Sequence, residues 1–286
     1  MVWGCLRKTL LLLLVPIGLL VIVAVVDREL LLKVPDVGFI LWAITGGSIP
    51  PFLDTTRLGD RGTWLHDGDV VVASGVKAGT MWLHNIVCLL RTGGWDDFDN
   101  LFDFVGTMEL IQYPHHSMEQ REAALAEQRV QLAKLNITNQ QHWTHYFPSP
   151  DFAALNPKEN PKVSYICIVR NGKEVVRSGT AFFNSYTPEF RSMWGGYPPT
   201  FTKDSGLKLF THDLPELYFG HVQGWWNVRN EPNVQVVHYR DLRKRPREMI
   251  RKIADTMGIP VSEETLDTIV HKSSLEYMTD PANIHK

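Results

Sequence analysis

Three short stretches of this chain carry residues that could do chemistry. The first, Val70–Val87, reads VVVASGVKAGTMWLHNIV: an apolar run, a loop of small residues around Lys77, then a helix-like segment. Strand, small-residue loop and helix start in that order make an anion cradle, because loop N–H groups and the helix dipole both face negative charge. The nucleotide pattern G-x-x-x-x-G-K-[ST] places its Lys after the last Gly, whereas Lys77 precedes Gly79. The anion therefore needs another identity than the tail of ATP or GTP. In the second stretch, Arg170 closes the run Val163–Val169 (VSYICIV) and Ser178 follows eight residues later. An Arg at a strand end can fork onto a phosphate with two parallel hydrogen bonds, and a Ser two turns into a helix adds a hydroxyl. Two anion sites on neighbouring strands suit a ligand with phosphates at both ends. The third stretch is Thr144-His145-Tyr146-Phe147-Pro148. A neutral imidazole can take a proton from an attacking hydroxyl, so His145 matters if it faces the Lys77 loop.

Elements must bring these stretches together. Val70–Ala73, Val163–Val169 and Val234–His238 are short, β-branched runs, and each precedes a segment with helical spacing: Met81–Leu90, Lys173–Phe183 and Arg247–Met257. Such alternation predicts an α/β fold of three layers, a central parallel sheet with helices on both faces. Ligands of such sheets bind beyond the carboxyl ends of the strands, where the Lys77 loop and the Arg170 turn both lie. Ser117–Leu135 reads as a surface helix with Ser117 as N-cap and Gln120 three residues on. Asn184–Ser205, with Gly195-Gly196 and Pro198-Pro199, reads as a loop or lid.

The chain has 286 residues and a formal net charge of −2, which argues against nucleic acid as a partner. Cys5, Cys88 and Cys167 match no zinc spacing and no disulfide framework, and no metal cluster is expected. Thr9–Val26 is 18 residues without a charge, preceded by Arg7-Lys8 and followed by Asp27-Arg28-Glu29. That length and charge order predict a signal-anchor helix over 9–26 with residues 1–8 in the cytosol, a stem over 27–60 and a catalytic domain over 61–286. A cleaved signal peptide is the alternative. The Asn136-Ile137-Thr138 sequon fits a body in the secretory lumen, and the expected location is a single-pass membrane protein of the Golgi or secretory pathway.

Read together, these stretches resemble the cytosolic-type sulfotransferases. Val76-Lys77-Ala78-Gly79-Thr80-Met81-Trp82 is similar to their P-K-S-G-T-T-W loop, and Ile168–Ser178 (IVRNGKEVVRS) to their V-A-R-N-P-K-D-V-A-V-S segment. Trp143-Thr144-His145 resembles their K-T-H, His221–Trp226 (HVQGWW) their H-V-x-G-W-W, and Val236–Leu242 (VVHYRDL) their strand ending Y-E-D-L. Ser262–Leu266 continues the likeness, which spans roughly residues 60 to 280 in family order.

The resemblance implies a P-loop-like loop holding the 5′-phosphosulfate of 3′-phosphoadenosine 5′-phosphosulfate (PAPS). Lys77 would steady the bridging oxygen, and Ala78, Gly79, Thr80, Met81 and Trp82 would cradle the phosphate, with Trp82 against the adenine. Arg170 and Ser178 would hold the 3′-phosphate. His145 would be the base toward the acceptor hydroxyl, in a direct transfer that needs no metal. The run Leu101, Phe102, Phe104, Val105, Met108, Leu110, Ile111 and Tyr113 lies where the family builds its acceptor cavity. Phe104, Met108 and Tyr113, with His145, are the expected substrate contacts. They suit a small alcohol or phenol rather than a glycan, and a homodimer is a further expectation. Four residues depart from the family: Ala78 for Ser, Met81 for Thr, Trp143 for Lys, and Leu275 for a second aromatic under the adenine. The sequence ends at Lys286, before an R-K-G loop and a G-x-W that close over the 3′-phosphate. That end favours the alternative of a catalytically weakened chain that binds PAPS, its product or another anion. A nucleotide kinase fits less well, because the Lys precedes Gly-Thr.

Overall fold

The computed structural model describes residues 53–283, except 60–61, 63, 99, 110–116, 195 and 214. The expected tail, anchor and stem up to residue 52 lie outside the described residues. Among those described, five strands form one parallel sheet in the order β2-β3-β1-β4-β5. They are β1 (Val70–Ser74), β2 (Val105–Thr107), β3 (Gln141–Thr144), β4 (Ser164–Val169) and β5 (Val234–His238). Three of the five were legible as apolar runs. β2 is only three residues long, and β3 reads QHWT, with Gln141, His142 and Thr144 fully buried although polar. Hydrophobic patterning has no means of finding such a strand.

Alternation along the strands sorts the core into two faces. Val70 and Val72 of β1 join Ile166 and Ile168 of β4 on one side. They pack there under α1 (Thr80–Arg91), α6 (Pro246–Thr256) and α7 (Glu263–Lys272). Val71, Ala73, Tyr165 and Cys167 face the other side, against Met108, Leu155 and Trp225. Trp225 belongs to α4 (Phe219–Asn227), and Leu125 of α2 (Met118–Lys134) reaches the same cluster. Each fully buried Val, Ile or Leu contributes roughly 1.5–3 kcal/mol, so the sheet is a rigid floor. The capping box predicted at Ser117 and Gln120 is present at the start of α2. Past its end Asn136 adopts the left-handed conformation (φ 59°) while Ile137 N–H bonds Leu132 C=O. Asn136 therefore serves as a helix-stop residue. The remaining helices used below are α3 (Gly172–Asn184) and α5 (Tyr239–Lys244).

The chain divides into two compact units. The larger holds Asp54–Leu110, Ser117–Ala181 and Thr202–Lys286. Of the smaller, Leu53 and Phe182–Phe201 are described, apart from 195. Where a loop or lid was expected, this segment forms a short helix, Pro188–Met193, capped by Thr187. Asn184 bonds Phe201 through both its amide N–H and its carbonyl oxygen. Among the described residues no helix is long and apolar enough to cross a membrane.

One buried ion ties the amino ends of the strands together. Asp69 accepts from Arg129 of α2, from His142 Nε2 at 2.9 Å, and from the backbone N–H groups of His66 and Gln140. Burial alone would raise its pKa, but the bonds to His142 and Arg129 prevail and hold the carboxyl well below the usual range. Removing one partner from such a buried cluster leaves the other charge uncompensated. Asp69→Ala should therefore cost about 3–5 kcal/mol in denaturant unfolding. Because the folded-state pKa is depressed, the carboxylate's contribution is complete above the unfolded value near 3.9. It should be lost as pH falls below that value, and the difference between parent and Asp69→Ala should shrink there.

Candidate active site

β1 pairs with β3 on one side and β4 on the other, with Ala73 level with Thr144 and Ser74 level with Ile168. That register brings three strand ends together: the Lys77 loop after β1, His145 after β3 and Arg170 after β4. Chain order also reverses at β1, which is where open parallel sheets bind ligands.

The loop after β1 turns through a bond from Ala78 N–H to Gly75 C=O. Lys77 itself sits in the left-handed region at φ 59°, which costs an L-residue roughly 1–2 kcal/mol. Arg170 offsets this by donating to the Lys77 carbonyl at 3.1 Å. Gly79 follows at φ 117°, and a Cβ there would stand 3.0 Å from Tyr239 and 3.1 Å from Ile168, so only glycine fits. As the N-cap of α1, Gly79 brings no side-chain hydrogen bond. The first N–H groups of the helix are thus left to an anion. Ser74 Oγ donates to Thr80 Oγ1 at 2.8 Å and anchors the first turn to the strand. Burial, then the neighbouring Arg170, lower the Lys77 ammonium below its usual 10.5.

His145 is held on three sides. Its Nδ1 lies 2.7 Å from the Ser74 carbonyl, which can only accept, so Nδ1 carries the hydrogen and Nε2 keeps its lone pair. Its backbone N–H donates to Glu109 Oε1 at 2.6 Å, and its C=O accepts from His221 Nδ1 at 3.1 Å. The ring stands edge-on to Trp143 at 5.1 Å. Burial, helped by Lys77 nearby, lowers the His145 pKa despite the opposing bond to Ser74. The tautomer and the neutral charge are those of a general base. Behind it, burial pushes Glu109 up to about 7 and His221 down to about 4.

The Arg170 side is a second small assembly. The guanidinium lies over the Tyr239 ring at 4.4 Å, and its Nε donates to Glu174 at 2.8 Å. Tyr239 in turn meets Trp82 edge-on at 5.3 Å, and Trp82 Nε1 donates to the Ser273 carbonyl at 2.7 Å. Arg170 and Ser178 line one cavity of about 690 Å³, together with Tyr239.

The predicted anion residues therefore meet: Lys77, Gly79, Thr80 and Trp82 around the start of α1, and Arg170 with Ser178 one strand away. Ala78 is buried and Met81 is exposed. Leu275 is 79% exposed. The expected acceptor contacts are placed differently. Phe104 packs with Phe98 at 5.1 Å in the cluster of Leu101, Cys88 and Leu132, and Met108 is wholly buried beside Trp64 and Trp225. Both sit in packed core. Tyr113, Leu110 and Ile111 lie outside the described residues. Sequence reasoning missed Glu109, His221 and Tyr239 as supports. Their signals were an acid inside an apolar run, the His opening HVQGWW, and the first residue after a strand.

Residues 67–283 match the sulfotransferase domain family. The chain belongs to that family. The amine sulfotransferase of Oryctolagus cuniculus is 26% identical over 224 residues, covering 75% of this chain and 64% of its own length. Sulfotransferase 1B1 of Mus musculus is 29% identical over 215 residues, covering 74% and 66%. The chain thus spans about two thirds of the length of these relatives. Two solved structures share the fold. Mouse sulfotransferase SULT7A1 complexed with PAP has a TM-score of 0.51 and 20% identity, over 77% of this chain and 68% of that one. Retinol dehydratase with androsterone and the inactive cofactor PAP has a TM-score of 0.52 and 18% identity, over the same shares.

The family also corrects the expected location. The domain of this sulfotransferase-family chain resembles sulfotransferases such as 1A1 of Rattus norvegicus, 26% identical over 219 residues, covering 74% of this chain and 67% of its own length. No described helix is long and apolar enough to cross a membrane. Assignment as a signal-anchored protein of the Golgi or secretory pathway is therefore withdrawn. The run Thr9–Val26, on which it rested, lies outside the described residues.

The geometry of His145 has a direct spectroscopic consequence. In ¹⁵N-edited NMR, His145 should show the Nδ1–H tautomer at neutral pH and titrate below the unperturbed 6.5. A midpoint at or above 6.5, or a hydrogen on Nε2, would contradict the assignment.

Proposed function

We propose that this chain transfers the sulfonate of PAPS to the hydroxyl of a small acceptor. The observation that carries the reading is the meeting of a helix start without a side-chain cap, a left-handed Lys77 and the bare Nε2 of His145 at adjacent strand ends. The residues fit PAPS on two counts. The first N–H groups of α1 suit a 5′-phosphate, and the cavity of Arg170 and Ser178 suits a 3′-phosphate. The relatives point the same way, since their names include amine and 3-alpha-hydroxysteroid sulfotransferases.

In this reading PAPS supplies a sulfonate on a good leaving group. His145 Nε2 takes the proton of the acceptor hydroxyl as its oxygen bonds to sulfur. The electron pair of the breaking S–O bond stays on the bridging oxygen of the 5′-phosphate. Lys77 and the α1 N–H groups face the charge that grows there. Such fixed donors act mainly on the transition state, by positioning and electrostatics. Trp143 presents ring surface beside His145, which favours a neutral alcohol or phenol over a polyanionic glycan.

Single-turnover transfer of labelled sulfonate from PAPS across a panel of alcohols, phenols, amines and glycans tests the reading. His145→Ala should lower the rate by about 10²–10⁴-fold with PAPS binding nearly intact. Lys77→Ala should cost about 10²–10³-fold. Signs follow from the two shifts. His145 must be neutral, and its lowered pKa puts the acid limb of the rate profile below 6.5. Lys77 must be charged, and its lowered pKa brings the alkaline limb below 10.5. A folded His145→Ala variant with the parent rate would refute the mechanism. Tight PAPS binding without transfer to any acceptor would leave a nucleotide-binding chain instead.

A further inference from the structure

Arg170 is less available than its place at the strand end suggests. Of its five N–H donors, Nε serves Glu174 and one on NH1 serves the Lys77 carbonyl. The guanidinium is also stacked on Tyr239. Three donors remain, and a phosphate dianion presents three oxygens with several lone pairs each. Arg170 and the Ser178 hydroxyl leave much of that dianion unmatched. The same cavity of about 690 Å³, however, is lined by three more arginines, Arg177, Arg240 and Arg243.

These arginines are placed by the helices. Arg177 lies three residues after Glu174 on α3, beside Ser178, so all three line the cavity, Arg177 at its border with a second cavity that Lys173 and Lys203 line. Arg243 lies four residues after Tyr239 on α5, one turn further along the side that carries the stacked ring. Among the described residues neither Arg177 nor Arg243 has an acidic or hydrogen-bonding partner. Among the described residues the Arg240 side chain makes only a long contact to Asp241 at 3.9 Å, and it is 70% exposed. Four cations and one carboxylate, Glu174, thus face one cavity, and that carboxylate is already used by Arg170. Arg177 stands where the quoted family segment has Val, and Arg240 where it has Glu. The charge is therefore a property of this chain and not of the motif.

We propose that Arg177 and Arg243 are the specificity-determining ligands of the 3′-phosphate, and that this chain selects 3′-phosphorylated nucleotides through them. The proposal deepens the function given above and rests on it. Arg170 then shares the phosphate through its three remaining donors while it also holds the Lys77 loop. Arg177, Arg243 and Ser178 close on the phosphate from two helices.

Calorimetry on the full chain tests this with two probes, 3′-phosphoadenosine 5′-phosphate and adenosine 5′-phosphate, which differ only in the 3′-phosphate. The parent should prefer the first. The double variant R177A/R243A should lose about 10–100-fold of that preference, the scale of one or two charge-assisted hydrogen bonds. Its affinity for adenosine 5′-phosphate should change by less than about 3-fold, because exposed charges at a distance are screened. Arg177→Lys should lose part of the effect, keeping the charge but not the fork. Lys244→Ala removes a like charge from the same helix outside the cavity, and should change nothing. A melting curve checks that each variant is folded. If the parent prefers the 3′-phosphorylated probe and R177A/R243A keeps that preference, or if Lys244→Ala lowers it equally, the proposal fails and the functional reading stands. If the parent does not bind 3′-phosphoadenosine 5′-phosphate, both fail.

Discussion

The site depends on the parallel register of β1 with β3 and β4. Because Ala73 is level with Thr144 and Ser74 with Ile168, the chain emerges from three neighbouring strands at one height. The bond from His145 Nδ1 to the Ser74 carbonyl is possible only in that register, and so is the bond from Arg170 to the Lys77 carbonyl. A slip of one residue would turn every β1 side chain to the opposite face. It would break both bonds at once. The buried valines of β1 resist such a slip, so the packing of the core and the geometry of the site are one constraint.

Protonation follows from the same arrangement. Two bases face each other across the strand ends, and burial lowers both. The proposed transfer needs opposite charge states, His145 neutral and Lys77 cationic, and their ordinary values lie far enough apart for both to hold at neutral pH. Glu109, with its carboxyl raised to about 7, contacts the backbone of His145 and leaves the ring free. It therefore steadies the strand end without drawing the imidazole toward its charged form. His221 does the same from the other side through the His145 carbonyl.

The fold class was legible, and the candidate anion residues could be proposed, because small residues, strand ends and helix starts leave strong local marks. Lys77, Gly79, Arg170 and Ser178 carry their meaning within about ten residues of sequence. Other parts were not legible, for reasons that differ from place to place. β3 buries Gln141, His142 and Thr144 through polar contacts such as that of His142 with Asp69, so no hydrophobic alternation marks it. Glu109, His221 and Tyr239 act through partners far away in sequence. Phe104 and Met108 pack into buried clusters, and a large apolar residue near a motif carries no local mark that tells cavity wall from core. Arg177 and Arg243 are exposed cations by sequence alone, and only the cavity they share sets them apart.

A crystal structure of the chain with 3′-phosphoadenosine 5′-phosphate tests the geometry of the strand ends most directly. The 5′-phosphate should lie against the N–H groups at the start of α1, beside the Lys77 side chain, with His145 still bonded to the Ser74 carbonyl and Nε2 facing the phosphate. A 5′-phosphate bound away from α1, or a His145 ring released from Ser74 and turned from the loop, would contradict it.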